Sequence, residues 1–430
     1  MRLACATLPA LSGALGALGA LVALVALGAA AWLGGALFRR MGQPVVIGEL
    51  LAGIVLGNLG LAGVHGFDAW LAQPALAWLA EAGVLLLLFR TGLESDVARM
   101  LAVGRSAFTV AVLGVVAPLV LGALVSLAFF PAHALLTHVF VGATLAATSV
   151  GITARVLGDL GRTDSLEGRI ILGAAVIDDV LGLIVLAVVS GVITAADHGT
   201  AFSAVSVALI VAKAVAFLTA ALLLGRAASR FVFHMAARVP GRGLLLVIAL
   251  GFAALFAWLA TRAGLAPIVG AFAAGLVLEE AHDADLLAHE TRARSLDELL
   301  APIAQVLVPL FFVIVGTHVG LGALANANVL AFASALTLAA IAGKQLCSLG
   351  VRERGADRWA VGFGMIPRGE VGLIFASIGS GLVLAGERVV DDAVYSAVVL
   401  TVVATTVLAP WLLAWRWGPR RPPPHRRTTP

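Results

Sequence analysis

The chain has 430 residues, of which 61% are hydrophobic and only 12% charged, with a net charge of +4. Soluble proteins devote about 25% of their residues to charge, so this composition excludes an ordinary soluble globule. The basic residues sit in short stretches between apolar segments, which marks membrane topology and argues against nucleic-acid binding.

Apolar segments of about twenty residues recur along the whole length, each long enough to cross a bilayer core. They are continuous, not alternating stretches of about ten residues, so a closed barrel is rejected and the spans are helices that satisfy their own backbone. In chain order the predicted spans are 11–38, 43–60, 73–91, 105–130, 134–157, 166–194, 201–225, 241–263, 265–280, 296–316, 325–349, 357–384 and 390–416, thirteen in all. The first follows Arg2 and could be taken for a signal peptide, but its Ala/Leu/Gly run continues to about Leu37, which suits a spanning helix. A basic, proline-rich tail, 417–430, is expected to lie disordered at the cytoplasmic surface.

The arginines test this count. After the odd-numbered spans come Arg39 and Arg40; Arg90, Arg99 and Arg105; Arg155, Arg162 and Arg169; Arg226, Arg230, Arg238 and Arg242; Arg292 and Arg294; Arg352, Arg354 and Arg358; and Arg416, Arg420, Arg421, Arg426 and Arg427, 22 on one side. The opposite side holds Arg2, Arg262 and Arg388. A missed span would scramble that alternation, and the positive-inside rule then puts the N-terminus outside and the C-terminus in the cytoplasm.

Three cations remain inside spans: Lys213, Lys344 and Arg368. Charge within the membrane is costly and points to function. Asp178 and Asp179 stand back to back near the centre of the sixth span, in "LGAAVIDDVLGLIVL". Adjacent helix positions point about 100° apart, so one carboxylate can line an ion site while the other turns to a partner helix. A buried acid of this kind holds a proton or a small cation but not both, and that competition is the chemistry of exchange. Lys344, in the eleventh span, is the obvious counter-charge; the alternative is a lysine snorkelling to the interface about one turn away.

The fifth span carries Thr148, Ser149, Gly151 and Thr153 at mid-membrane, and the twelfth carries Pro367, Arg368, Gly369 and Glu370. Paired interruptions in two halves of a membrane protein point to a substrate site, because half-helix ends and freed carbonyls bind ions. Small-residue helix packing is the plain alternative for the first, and a local Arg368–Glu370 pair for the second. Glu49 and Glu81 read more readily as helix-packing polar residues than as pathway residues. Lys213 has no evident partner. His133 and His138 read as flanking an external loop, and neither they nor Cys5 and Cys347 have metal-ligand spacing. No catalytic triad or phosphate-binding loop appears, which leaves little for an enzyme; a channel or an ion sensor stays open.

Seven motifs then occur in order: "QPVVIGELLAGIVLGNLG", "LLLLFRTGLESD", "ATSVGITARVLGDLG", "LGAAVIDDVLGLIVL", "LVPLFFVIVGTHV", "GKQL" and "GMIPRGEVGLI". From about Leu27 to Leu408 the chain resembles the sodium/proton exchanger transport domain of the bacterial monovalent cation:proton antiporter-2 family. The resemblance implies an all-α sodium/proton antiporter fold of two inverted repeats with two crossed, discontinuous helices in spans 5 and 12. It implies a dimerisation part at about 11–91 and 241–316, a core part at about 105–194 and 325–416, and a linker helix at about 201–225. It implies a homodimer in the bacterial cytoplasmic membrane that exchanges Na+ or Li+ for H+ without a cofactor. Residue by residue, Asp179 matches the carboxylate that binds the ion and the proton, and Asp178 the neighbour that pairs with Lys344. Thr148 and Ser149 match the unwound segment near the ion, with Arg368 and Glu370 in support. Kef-type potassium efflux relatives usually carry Gln-Asp at this place and a cytosolic nucleotide-binding domain behind it; Asp-Asp with a lysine goes with electrogenic exchange in similar proteins. K+/H+ exchange is the alternative within transport.

Overall fold

The structure is a computed structural model that describes residues 2–64, 73–93, 104–197, 204–236, 244–286, 296–324 and 326–417. Arg99, Arg238, Arg242, Arg292, Arg294 and the tail beyond Trp417 lie outside the described residues. Its helices are α1 (Arg2–Arg40), α2 (Val45–Gly57), α3 (Pro74–Leu93), α4 (Arg105–Phe129), α5 (Leu135–Thr144), α6 (Val150–Leu160) and α7 (Leu166–Asp197). They continue with α8 (Ala204–Ala236), α9 (Leu244–Arg262), α10 (Pro267–Leu286), α11 (Leu296–Thr317), α12 (Ala327–Leu346), α13 (Arg358–Gly364), α14 (Glu370–Gly381) and α15 (Asp392–Trp417). Among the described residues nine helices are long and apolar enough to cross a membrane: α1, α3, α4, α7, α8, α9, α11, α12 and α15.

Among the described residues four further apolar helical stretches are shorter, and at the two interrupted spans the sequence says why. Where an interruption of the fifth span was expected, the chain leaves helix after Thr144 and re-enters it at Val150. The twelfth expected span likewise divides between α13 and α14, where Pro367 lacks an N–H to continue the ladder and restricts the residue before it. Several helices also outrun their expected ends. α8 continues to Ala236, so Arg226 and Arg230 lie on its last turns and not in a loop. Between α14 and α15 the chain makes a two-stranded hairpin, Val383–Leu384 against Glu387–Arg388, turned by Ala385 (φ 53°) and Gly386 (φ 85°). Both central residues in the left-handed region is the signature of a tight primed turn, and only Gly386 adopts it without cost.

Helix neighbours divide into two sets. α1 packs on α2, α2 and α3 on α11, α3 on α10, and α10 on α9. Small residues allow the backbones to touch, as in membrane helix pairs generally: a side chain at Gly92 or Gly275 would collide with the facing backbone across the α3–α10 contact. In the second set α4 packs on α5, α7 and α12, α12 on α15, α13 on α7 and α15, and α14 on α5 and α15. α8 touches α7 of one set and α10 of the other.

A cleft of about 710 Å³ opens between the sets, walled by α3, α10 and α11 on one side and by α7 and α14 on the other. Its lining is mostly apolar, with Phe311 and Ile374 among the walls and Ser190 and Thr194 on α7. Glu81, expected as a packing residue, lines this cleft.

Candidate functional site

The site is built where the two broken helices meet. The residues between α5 and α6 cannot satisfy their backbone within a helix, and they find partners in the opposite break. Ser149 N donates to Pro367 O (2.9 Å), Thr148 Oγ1 to Met365 O (3.2 Å) and Thr153 Oγ1 to Gly364 O (3.0 Å). Ser149 caps α6 by accepting from Ile152 N, and its hydroxyl also donates to Glu370 Oε2 (3.3 Å). On the far side Thr406 Oγ1 donates to Arg368 O. Backbone groups buried in a membrane are costly to leave unpaired, so this exchange lets both helices stay broken.

The electrostatics follow from helix ends. The C-terminal end of α5 carries partial negative charge on carbonyls the helix no longer uses. Lys344 donates to Ala146 O (2.6 Å) and Arg368 Nη1 to Ala147 O (2.9 Å), so two buried cations meet two freed carbonyls. Glu370 opens α14, where a carboxylate complements the helix dipole.

Asp178 and Asp179 diverge as neighbouring helix positions must. Asp178 is fully buried and takes both acceptors to Lys344, at 3.0 and 3.1 Å from Nζ. This settles the reading of Lys344: its side chain is fully buried and paired, and does not snorkel to an interface. Gly114 of α4 faces the pair, since a Cβ there would stand at ordinary contact distance, 3.5 Å, from both the Asp178 carboxylate and the Lys344 ammonium. Asp179, one position on, is 5% exposed, and its Oδ1 is buried with no hydrogen-bond partner among the described residues. It is the acid of the pair whose acceptor capacity is not spent on fold.

One alternative falls away and one expectation changes. Arg368 and Glu370 do not neutralise each other: the guanidinium goes to Ala147 O, and the carboxylate meets Ser149. Arg368 Nε and Nη2 remain buried without partners among the described residues. His138 is not a loop residue but is buried within α5, with Nδ1 2.9 Å from Ser126 Oγ of α4. The carbonyls of Ala146 and Ala147 escaped sequence reading, because alanine carries no side-chain signal; only the neighbouring Thr-Ser-Val break pointed there.

Close packing between the breaks gives a direct test. A Cβ at Gly369 would lie 2.6 Å from Ser149 Cβ and Oγ. Gly369→Ala is therefore expected to push the breaks apart and to cost about 1–3 kcal/mol, as overpacking of a tight interior does. Thermal unfolding in detergent reads the loss; an unchanged melting temperature would refute the contact.

Comparison with known proteins bears on this arrangement. A family model described as "Sodium/hydrogen exchanger, transmembrane" matches residues 22–416. The high-affinity Na+/H+ antiporter NhaS3 of Synechocystis sp. is 35% identical over 90% of this chain and 87% of its own length. The Na+/H+-K+ antiporter GerN of Bacillus cereus is 32% identical over 90% of this chain and 93% of its own. In fold, the chain is similar to the sodium proton antiporter MjNhaP1 of Methanocaldococcus jannaschii, with a TM-score of 0.68 at 17% identity, covering 93% of this chain and 97% of that one.

Proposed function

The chain belongs to the sodium/hydrogen exchanger family, and we propose that it exchanges Na+ or Li+ for H+ across the membrane by alternating access, with Asp179 as the common binding group. The observation that carries this reading is the buried, unpartnered Oδ1 of Asp179 beside two broken helices. A deprotonated Asp179 attracts a monovalent cation, and a protonated one, being neutral, no longer does. The hydroxyls of Thr148 and Ser149 donate elsewhere and keep lone pairs free to accept a cation.

The thirteen-span reading combines the nine long helices with α2, α10 and the two interrupted pairs α5–α6 and α13–α14. The pairs form the two crossing elements of an inverted repeat. The set containing α4–α7 and α12–α15 is the moving core, α1–α3 with α9–α11 the dimerisation scaffold, and α8 the linker. The contact pattern and the cleft between the sets support this division. Because the breaks are hydrogen-bonded to each other, the core moves with its site intact. The protein acts as a homodimer in the bacterial cytoplasmic membrane, N-terminus outside, without a cofactor.

Asp-Asp with Lys344 favours the electrogenic, antiporter-2 type of exchange, in which the second acid or the lysine supplies an extra proton per cation. One net charge per cycle couples transport to voltage at about 2.3 kcal/mol per 100 mV. A second reading, K+/H+ exchange, is favoured by the likeness to GerN, whose name includes K+. Everted vesicles with an imposed pH gradient separate the two. Addition of Na+ or Li+ is expected to dissipate the gradient, and dissipation by K+ alone would replace the sodium reading with the potassium one.

A further inference from the structure

The cleft between the helix sets carries a single charged group on its walls. Among the described residues that line it, Glu81 of α3 is the only Asp, Glu, Lys or Arg. Ala77, Ala80 and Val84 share its helix face and line the cleft with it. Glu81 is exposed and, among the described residues, makes no hydrogen bond or ion pair. Its carboxylate therefore ties no helices together, and its charge is turned toward whatever enters the cleft.

The cleft stands on the arginine-poor side of the ion site. Its lining includes Thr194 in the last turn of α7, Thr261 in the last turn of α9 and Pro267 at the start of α10. Those helix ends share the side of Arg262 and Arg388, away from the 22 arginines. Two helices lead from the cleft to the site. Asp179, Leu183, Leu186 and Ser190 share one face of α7, and Ser190 lines the cleft about 16 Å along the axis from Asp179, at about 1.5 Å per residue. Glu370, Ile374 and Ser377 share one face of α14, and the last two line the cleft. Leu183, Leu186 and Ile374 are buried in one core cluster with Phe311 of α11, so an apolar layer separates the cleft from Asp179.

We propose that Glu81 collects the transported cation on the arginine-poor side before it passes to Asp179, an inference that rests on the exchange reading of Asp179. The other walls offer a cation hydrocarbon and a few hydroxyls, so Glu81 is the first fixed negative charge it meets there. A carboxylate between low-dielectric walls is screened less than one on an open surface, and a cleft of one sign raises the local concentration of counter-ions. α3 belongs to the opposite helix set from α7 and α14, so Glu81 faces the exchanging residues across the cleft. It sets how readily the cation is captured, not how it is exchanged.

Uptake of radioactive Na+ into acid-loaded membrane vesicles tests the assignment, with right-side-out vesicles presenting the cation to the arginine-poor side and everted vesicles to the other. In right-side-out vesicles at low ionic strength, Glu81→Gln is expected to raise the half-saturating Na+ concentration about tenfold, the lower end of what a one-signed cleft produces. The saturated rate should change by less than about twofold, since one charge at the mouth acts on encounter. Added choline chloride shortens the screening length and should bring parent and variant together. In everted vesicles the two should have the same half-saturation. Glu81→Asp should behave like the parent, and Glu81→Cys should recover tight half-saturation when a sulfonate-bearing thiol reagent restores the negative charge. Equal half-saturation of parent and Glu81→Gln in right-side-out vesicles would overturn the proposal, as would an equal rise in both orientations or a rise that survives high salt. A parent that takes up no Na+ would overturn the exchange reading and this inference with it, whereas the other outcomes leave Na+ exchange by the parent intact.

Discussion

Asp179→Asn is expected to reduce cation-driven dissipation of a pH gradient to the level of vesicles lacking the protein. Asparagine keeps the size of the side chain and removes the charge that attracts a cation and the oxygen that takes a proton. Because Asp179 Oδ1 has no partner among the described residues, the substitution breaks no hydrogen bond seen at that atom. The variant should therefore fold and insert like the parent while losing transport. Asp179→Glu retains the carboxylate and should retain a fraction of the activity with altered cation preference. Full activity in Asp179→Asn would remove the basis of the whole site.

The opposite pattern is expected at Lys344, where stability and transport fall together. The Lys344–Asp178 pair is fully buried, and removing one partner leaves an uncompensated charge in a low-dielectric interior. Such losses run to about 3–5 kcal/mol. Lys344→Ala also strips the donor from Ala146 O in the first break. Its melting temperature should fall well below that of Asp179→Asn. Combining Asp178→Asn with Lys344→Gln replaces the ion pair by a neutral hydrogen-bonded pair and should recover much of the stability. Transport in that double variant is expected to lose its dependence on membrane potential, measured in proteoliposomes under a K+ diffusion potential. A voltage response equal to the parent's would refute the role of Lys344 in charge movement, and a double variant no more stable than Lys344→Ala would refute the buried pair as the source of the loss.

These two residues also mark how far the sequence could be read. Carboxylates and a lysine inside apolar spans announce themselves because charge in hydrocarbon needs a reason. The interruptions were equally legible, since proline, glycine and hydroxyl residues at matching depth disfavour an unbroken helix. Helix geometry required Asp178 and Asp179 to face apart, yet only packing decides which of them meets α12 and Lys344. The partner of Arg368 stayed open for a related reason. Glu370 is near in sequence, but positions two apart do not face each other once the chain enters a helix. The guanidinium instead reaches a carbonyl of Ala147, on the opposite break. His138 was misplaced because loop boundaries shift by a few residues, enough to bury a ring beside Ser126. Glu81 looked like a packing residue until the cleft between the helix sets placed it on a wall.

Competition between cation and proton at Asp179 is the core of the mechanism, and proton release on cation binding measures it without transport. Purified protein in a weakly buffered solution with a pH indicator is expected to release protons when Na+ or Li+ is added, at a pH where Asp179 is protonated, and Asp179→Asn is expected to release none. Cation binding without proton release in the parent, or unchanged release in Asp179→Asn, would contradict the account.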